Sequence, residues 1–282
     1  MNLYPINAGN FKLDGGAMFG VVPKSLWQRT NPADENNMCS WSMRCLLIED
    51  GDRLMLVDCG IGDKQSEKFF SYYYLHGDGD LKTSIESAGF SMDEVTDVFL
   101  THLHFDHCGG AIARNGNGFR PVFKNATYWS NERHWKWATE PNAREKASFL
   151  KENILPIQES GQLKFIEREA DLTKNVFDNI DVMFVDGHTD SQQLPIINYK
   201  GQKIVFMADL LPSVGHIPLA YVMGYDTRPL ITLAEKETFL EKALSENYVL
   251  FLEHDAVNQC CTLKETEKGI RLDKTFNLKE II

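Results

Sequence analysis

Five short runs of Val, Ile, Leu, Phe and Met each stop at an aspartate or a histidine. They are RLMLVDCG over 53–60, DVFLTHLH over 97–104, IDVMFVDGH over 180–188, KIVFMADL over 203–210 and YVLFLEHD over 248–255. Short apolar runs rich in β-branched and aromatic residues, closed by polar turns, read as strands. Strands that repeatedly deliver an Asp or His at their ends are those expected to present ligands there.

Between the strands the pattern turns helical. Residues 131–152, rich in Trp, Lys, Glu and Ala, predict a helix that Pro141 kinks or divides into two shorter ones. Residues 232–246 predict a cleaner amphipathic helix, with Leu233, Phe239, Leu240 and Leu244 at helical spacing. Residues 64–75 predict a helix carrying the aromatic run FFSYYYL. Strands and helices mixed along the whole chain imply a layered α/β architecture. A length of 282 residues allows two domains at roughly 150 residues each. No composition shift marks a linker, so one domain over 1–282 with two similar halves is expected.

The segment THLHFDHCGG places His102, His104, Asp106 and His107 directly after a strand and before Gly109 and Gly110. A lone histidine is ordinarily a surface or satisfied core residue; three with an aspartate at this spacing point to a divalent metal such as zinc. In an extended turn His102 and His104 face one ion, leaving Asp106 and His107 for a second. The glycine pair is read as letting the backbone turn sharply beside the site. Two ions need further donors, and the other strand ends offer His188, Asp209 and His254. These ligands run from residue 102 to residue 254, so neither half makes the site alone.

The order H-x-H-x-D-H, then GH, then AD, then a late His resembles the metallo-β-lactamase superfamily over roughly residues 46–255. The resemblance implies an αββα sandwich with two metals at one edge of the sheets. It carries His102, His104 and His188 to the first metal, Asp106, His107 and His254 to the second, and Asp209 to a bridging position. It also matches Asp58 in LVDCG to the aspartate that orients a ligand. Two ions about 3.5–4 Å apart share a water, lower its pKa and polarise a carbonyl or phosphoryl oxygen, so hydrolysis is the expected reaction.

The balance of 29 basic against 40 acidic residues gives a formal charge of −11, which disfavours nucleic acid as a partner. Six cysteines without a C-x-x-C pair read as reduced thiols, and Cys108 as a packing residue. No stretch approaches the roughly 18 apolar residues of a membrane span. The first residues show no basic cluster before an apolar run, so no secretory leader is expected. A cytoplasmic protein, with a homodimer allowed for, is the resulting expectation.

The flanking segments FKLDGGAMFGVVPKSLW and DLLPSVGHIPLAYVMGYD are similar to those of the quorum-quenching N-acyl homoserine lactone lactonases of this superfamily. That resemblance implies a small acylated lactone as substrate. Better-known members carry a Tyr three residues after the bridging Asp, where this chain has Pro212. His216, then Tyr221, are the candidates to orient the lactone, and Asp106 or a water to pass the proton to the leaving oxygen. An acyl chain needs an apolar groove, for which Met18, Phe19, Phe69, Phe70, residues 72–74 (with Tyr73 central), Trp135 and Trp137 are candidates; core packing is the alternative for most of them. A phosphotriesterase or arylesterase on the same metals, and a sensor that keeps the metals without the chemistry, are the competing readings.

Overall fold

The computed structural model describes residues 1–282. The strands are β1 Asn2–Asp14, β2 Met38–Asp50, β3 Arg53–Val57, β4 Asp97–Phe99, β5 Ile112–Asn115, β6 Gly118–Pro121, β7 Thr127–Ser130, β8 Leu163–Phe165, β9 Leu172–Phe177, β10 Ile180–Val185, β11 Gln192–Tyr199, β12 Gln202–Phe206, β13 Val249–Phe251, β14 Cys260–Lys264 and β15 Arg271–Phe276. The α-helices are α1 Gly15–Phe19, α2 Lys24–Trp27, α3 Glu67–Ser71, α4 Leu81–Ser87, α5 Phe105–Cys108, α6 Glu132–Thr139, α7 Lys151–Glu159 and α8 Pro229–Ser245. The expected α/β class is what forms. By contact, the chain divides into two compact units, Met1–Asn10 with Met43–Arg168 and Phe11–Ser42 with Glu169–Ile282.

In the first unit, β2 and β3 form an antiparallel hairpin turned at Gly51, and β3, β4, β7 and β8 follow in parallel. Parallel strands covered on both faces lose polar alternation, and every residue of β4 is buried. Leu47, Leu56, Val98, Leu100, Tyr128 and Ile154 belong to the core around these strands. In the second unit, the sheet order is β15-β14-β13-β12-β11-β10-β9. Its one parallel pair is β12 and β13; parallel neighbours need a crossover, which α8 supplies. Phe206 and Phe251 lie in register across that pair and stack with ring centres 5.5 Å apart.

All five apolar runs become strands, and each stops before its polar residue. β3 ends at Val57, β4 at Phe99, β10 at Val185, β12 at Phe206 and β13 at Phe251. Asp58, His102, His188, Asp209 and His254 therefore lie in loops just past strand carboxyl ends, where open α/β sheets present their ligands.

The helix expected over 131–152 is two helices, α6 and α7, separated by turns. Pro141 biases Glu140 out of the helical region (φ −119°, ψ 57°). The Asn142 side chain then accepts from the Arg144 and Glu145 amides and builds a turn instead. The helix expected over 64–75 shrinks to α3, capped by Ser66 and followed by Tyr74 at φ 46°. α8 starts earlier than expected because Pro229 serves as a first-turn proline.

Candidate metal centre

Asp58 follows β3 in the left-handed region (φ 57°), which Asp tolerates better than most side chains, and it is fully buried. Its carboxylate accepts the Thr101 amide at 2.8 Å and the Thr101 hydroxyl at 2.6 Å. It also lies 3.1 Å from His107 Nδ1. Because the Thr101 hydroxyl donates to Asp58, it accepts from His102 Nδ1 at 3.1 Å. One buried carboxylate thereby fixes two imidazoles, His107 directly and His102 through Thr101.

The turn after His104 is the short helix α5, in which the His104 carbonyl accepts from the His107 and Cys108 amides. His104 Nδ1 lies 3.0 Å from His102 Nε2, and its Nε2 faces Glu145 at 3.5 Å. Gly109 has ordinary helical torsions (φ −59°), so the glycine pair is not there for a sharp turn. A Cβ at Gly109 would stand 2.1 Å from the Ile61 carbonyl oxygen, and one at Gly110 2.1 Å from that of Cys59. Close backbone approach is what requires glycine.

In the second unit, His188 Nδ1 pairs with Asp226 at 2.9 Å, and His254 Nδ1 donates to the Ser42 carbonyl at 2.7 Å. Asp209 reaches both rings, with Oδ2 3.1 Å from His188 Nε2 and Oδ1 3.1 Å from His254 Nε2. Burial opposes a charge on His188, yet the Asp209 and Asp226 carboxylates hold it up to about 10. The same negative field favours a bound cation.

Within the first unit, His102 and His104 meet at 3.0 Å and His107 Nε2 stands 3.8 Å from the Asp106 carboxylate, all four side chains buried. Within the second unit, the buried Asp209 contacts both His188 and His254. Four imidazoles have Nδ1 engaged by Thr101, Asp58, Asp226 or the Ser42 carbonyl, so Nε2 is the atom that would face a metal, in His188 after giving up the proton that Asp209 and Asp226 hold on the ring. The donor set fits divalent metal ions.

Other expectations are revised by the structure. His216 is 1% exposed and has both ring nitrogens engaged, Nδ1 with the Ser213 hydroxyl and Nε2 with the Met18 carbonyl, each at 2.9 Å. Burial pulls it down to about 3, so at neutral pH it is an uncharged structural ring without a free nitrogen for proton transfer. Phe19 does not line a groove: one face stacks on His216 at 4.3 Å and the other on Trp27 at 5.2 Å. Met18 is likewise buried, at 2% exposure. The two flanking segments noted in the sequence thus pack into one module, with Tyr221 half-buried and edge-on to Phe19.

Phe69 and Tyr73 are half-buried and close on Phe105, the residue between His104 and Asp106, at 5.4 and 4.7 Å. Burial and then the Asp106 carboxylate push the Tyr73 phenol up to about 12. Trp137 is half-buried and donates its indole N–H to Glu145 at 2.7 Å. Burial pushes the Cys108 thiol up to about 12, which keeps it protonated as a packing residue.

Thr101, Glu145, Asp226 and His134 were not foreseen. His134 Nε2 accepts the Leu103 amide at 2.9 Å and so pins the ligand turn. Only Thr101 had a usable sequence signal, its position directly before the histidine motif; the others lie 31 to 41 residues from their targets along the chain.

This fold, with paired His and Asp groups past strand ends, defines a metal-dependent hydrolase: the model of the metallo-β-lactamase superfamily matches residues 44–254, and the chain belongs to that family. Within it, the chain is 22% identical over 285 residues to an N-acyl homoserine lactonase of Bacillus cereus, covering 96% of both sequences. A probable metal-dependent hydrolase from Staphylococcus aureus superposes with a TM-score of 0.86 at 27% identity, over 98% of each chain. AidC, a dizinc quorum-quenching lactonase in complex with a product homoserine, superposes with a TM-score of 0.76 at 20% identity, over 98% of this chain and 95% of that one.

Proposed function

We propose that the chain is one catalytic domain, 1–282, that opens the ring of N-acyl homoserine lactones with two zinc ions. The carrying observation is Asp209, whose two oxygens contact His188 and His254 separately, in a chain similar over nearly its whole length to an N-acyl homoserine lactonase. His102, His104 and His188 would hold one ion, Asp106, His107 and His254 the other, with Asp209 between them. When bound, such a pair polarises an ester carbonyl and lowers the pKa of water.

The chain's own residues prepare that chemistry. Asp58, Thr101, Asp226 and the Ser42 carbonyl hold Nδ1 of His107, His102, His188 and His254, so these four rings are oriented before a cation arrives. Asp106 passes a proton to the leaving ring oxygen. With His216 engaged, Tyr221 is left as the group that orients the lactone, since Pro212 stands three residues after Asp209 where better-known members carry a Tyr. Phe69, Tyr73 and Trp137 form the apolar side for the acyl chain. No helix is long and apolar enough to cross a membrane, and a cytoplasmic location is part of the proposal.

The test is ring opening by the zinc-loaded enzyme, followed by mass spectrometry, on acyl homoserine lactones of several chain lengths beside an aryl ester and a phosphotriester. Lactone turnover with kcat/KM well above that on the other two is expected. Faster triester turnover with inert lactones would replace this reading by a phosphotriesterase. A fully metallated chain inert towards all three would favour a sensor.

A further inference from the structure

α8 carries two adjacent residues of opposite charge, each bonded to more than one backbone group. The Glu235 carboxylate accepts the consecutive amides of Asp186 at 2.6 Å and Gly187 at 3.0 Å, immediately before His188. Lys236, only 1% exposed, donates to the carbonyls of Pro218 at 2.9 Å, Leu219 at 3.3 Å and Tyr221 at 2.9 Å. All three ammonium protons are thereby used on one loop.

A buried ammonium is costly to desolvate, and burial pulls Lys236 down to about 7 against the attraction of Asp226. An apolar side chain would avoid that cost but leave three buried carbonyls without a donor. The segment leading into this loop is tied down beside His254, the Val214 amide donating to the Asp255 carboxylate at 3.0 Å. On the other side, the Gly187 backbone is pressed against α8 so closely that a Cβ there would lie 2.2 Å from the Thr232 amide nitrogen. The amides of Arg228 and Thr227 donate to the carbonyls of Gly187 and His188.

We propose that Glu235 and Lys236 are positioning residues with divided duties, Glu235 setting the backbone that carries His188 and Lys236 setting the 218–221 loop against which substrate is bound. The substrate half rests on the lactonase reading; the rest stands without it. Glu235→Gln keeps the size but supplies one acceptor for two amides. Lys236→Met keeps the length and removes the donors.

Three measurements separate the duties. Metal-free protein titrated with zinc against a competing chelator should show Glu235→Gln binding on the order of tenfold more weakly and Lys236→Met binding as wild type does. Hydrogen exchange should quicken at 218–224 in Lys236→Met and at 186–190 in Glu235→Gln, with β12 and β13 unchanged in both. On a lactone substrate, Lys236→Met should raise KM on the order of tenfold with kcat nearly kept. Uniform acceleration of exchange would reduce both residues to general stability and overturn the proposal, as would zinc loss in Lys236→Met alone. If wild type opens no lactone, the lactonase reading fails while zinc affinity and exchange still decide the division.

Discussion

Asp58→Asn is the substitution with the widest expected reach. Asparagine has nearly the same shape and tolerates the left-handed torsions found at this position. Its amide, however, has one oxygen where the carboxylate had two. If Oδ1 keeps the Thr101 amide, the NH2 group must face the Thr101 hydroxyl and His107 Nδ1, both of which now meet donors. His107 then has to move its proton to Nε2. The Thr101 hydroxyl, turned to accept from the new amide, aims its own proton at His102 Nδ1 and pushes that ring the same way. One oxygen-to-nitrogen change thus disturbs one imidazole in each proposed ligand set. Loss of a hydrogen bond that orients a ligand costs about 10- to 100-fold in metal affinity, or about 1.4–2.7 kcal/mol. With both groups affected, weaker binding of both zinc equivalents is expected. The assay is chelator-competed zinc titration with metal content by mass spectrometry, and circular dichroism confirms the fold. An Asp58→Asn protein holding two zinc equivalents at wild-type affinity would refute the tautomer argument.

Three further outcomes follow from the same geometry. His216→Ala removes two buried hydrogen bonds and a stacked ring, so chemical denaturation should show a loss of about 3–5 kcal/mol with zinc content kept; an equally stable variant that is catalytically dead would return His216 to the chemistry. Gly110→Ala drives a methyl against the Cys59 carbonyl and should cost at least about 1–3 kcal/mol, whereas Gly118→Ala, whose nearest neighbour stands at 3.8 Å, should be close to neutral in the same thermal melts. Because His216 has its folded-state pKa lowered from 6.5 to about 3, the unfolded chain binds the extra proton between those values. Its contribution is therefore intact above pH 6.5 and lost as pH falls towards 3, so stability measured over that window should fall more steeply in wild type than in His216→Asn.

Much of the centre was legible because its signals are local or lie at strand ends. The run from His102 to His107 is compact, and His188, Asp209 and His254 each follow an apolar run whose burial forces the next polar residue into a loop. The supporting residues were less legible: Asp226 and Glu145 sit in turns whose composition differs little from any other. His216 misled for a physical reason, since a histidine in a Gly- and Pro-bearing loop reads the same whether its nitrogens are free or bonded. β1 is hidden by Pro5 and Gly9, while β2 does alternate, Cys39, Trp41, Met43 and Cys45 against Ser40, Ser42 and Arg44, but without the branched aliphatics of the other strands; Pro141 divides 131–152 as expected, and the asparagine turn after it delays the second helix to Lys151.

The stack of His216, Phe19 and Trp27 also sets a schedule for the newborn chain. Met18 and His216, joined by a hydrogen bond, are 198 residues apart in sequence. At about 5–20 residues per second, ~10–40 s of synthesis separates them. Throughout that interval Phe11, Phe19 and Trp27, all buried in the finished molecule, wait beside the ribosome without the late partners His216 and His254. A nascent chain stalled before residue 216 should therefore bind chaperones through its first forty residues and release them once the histidine emerges.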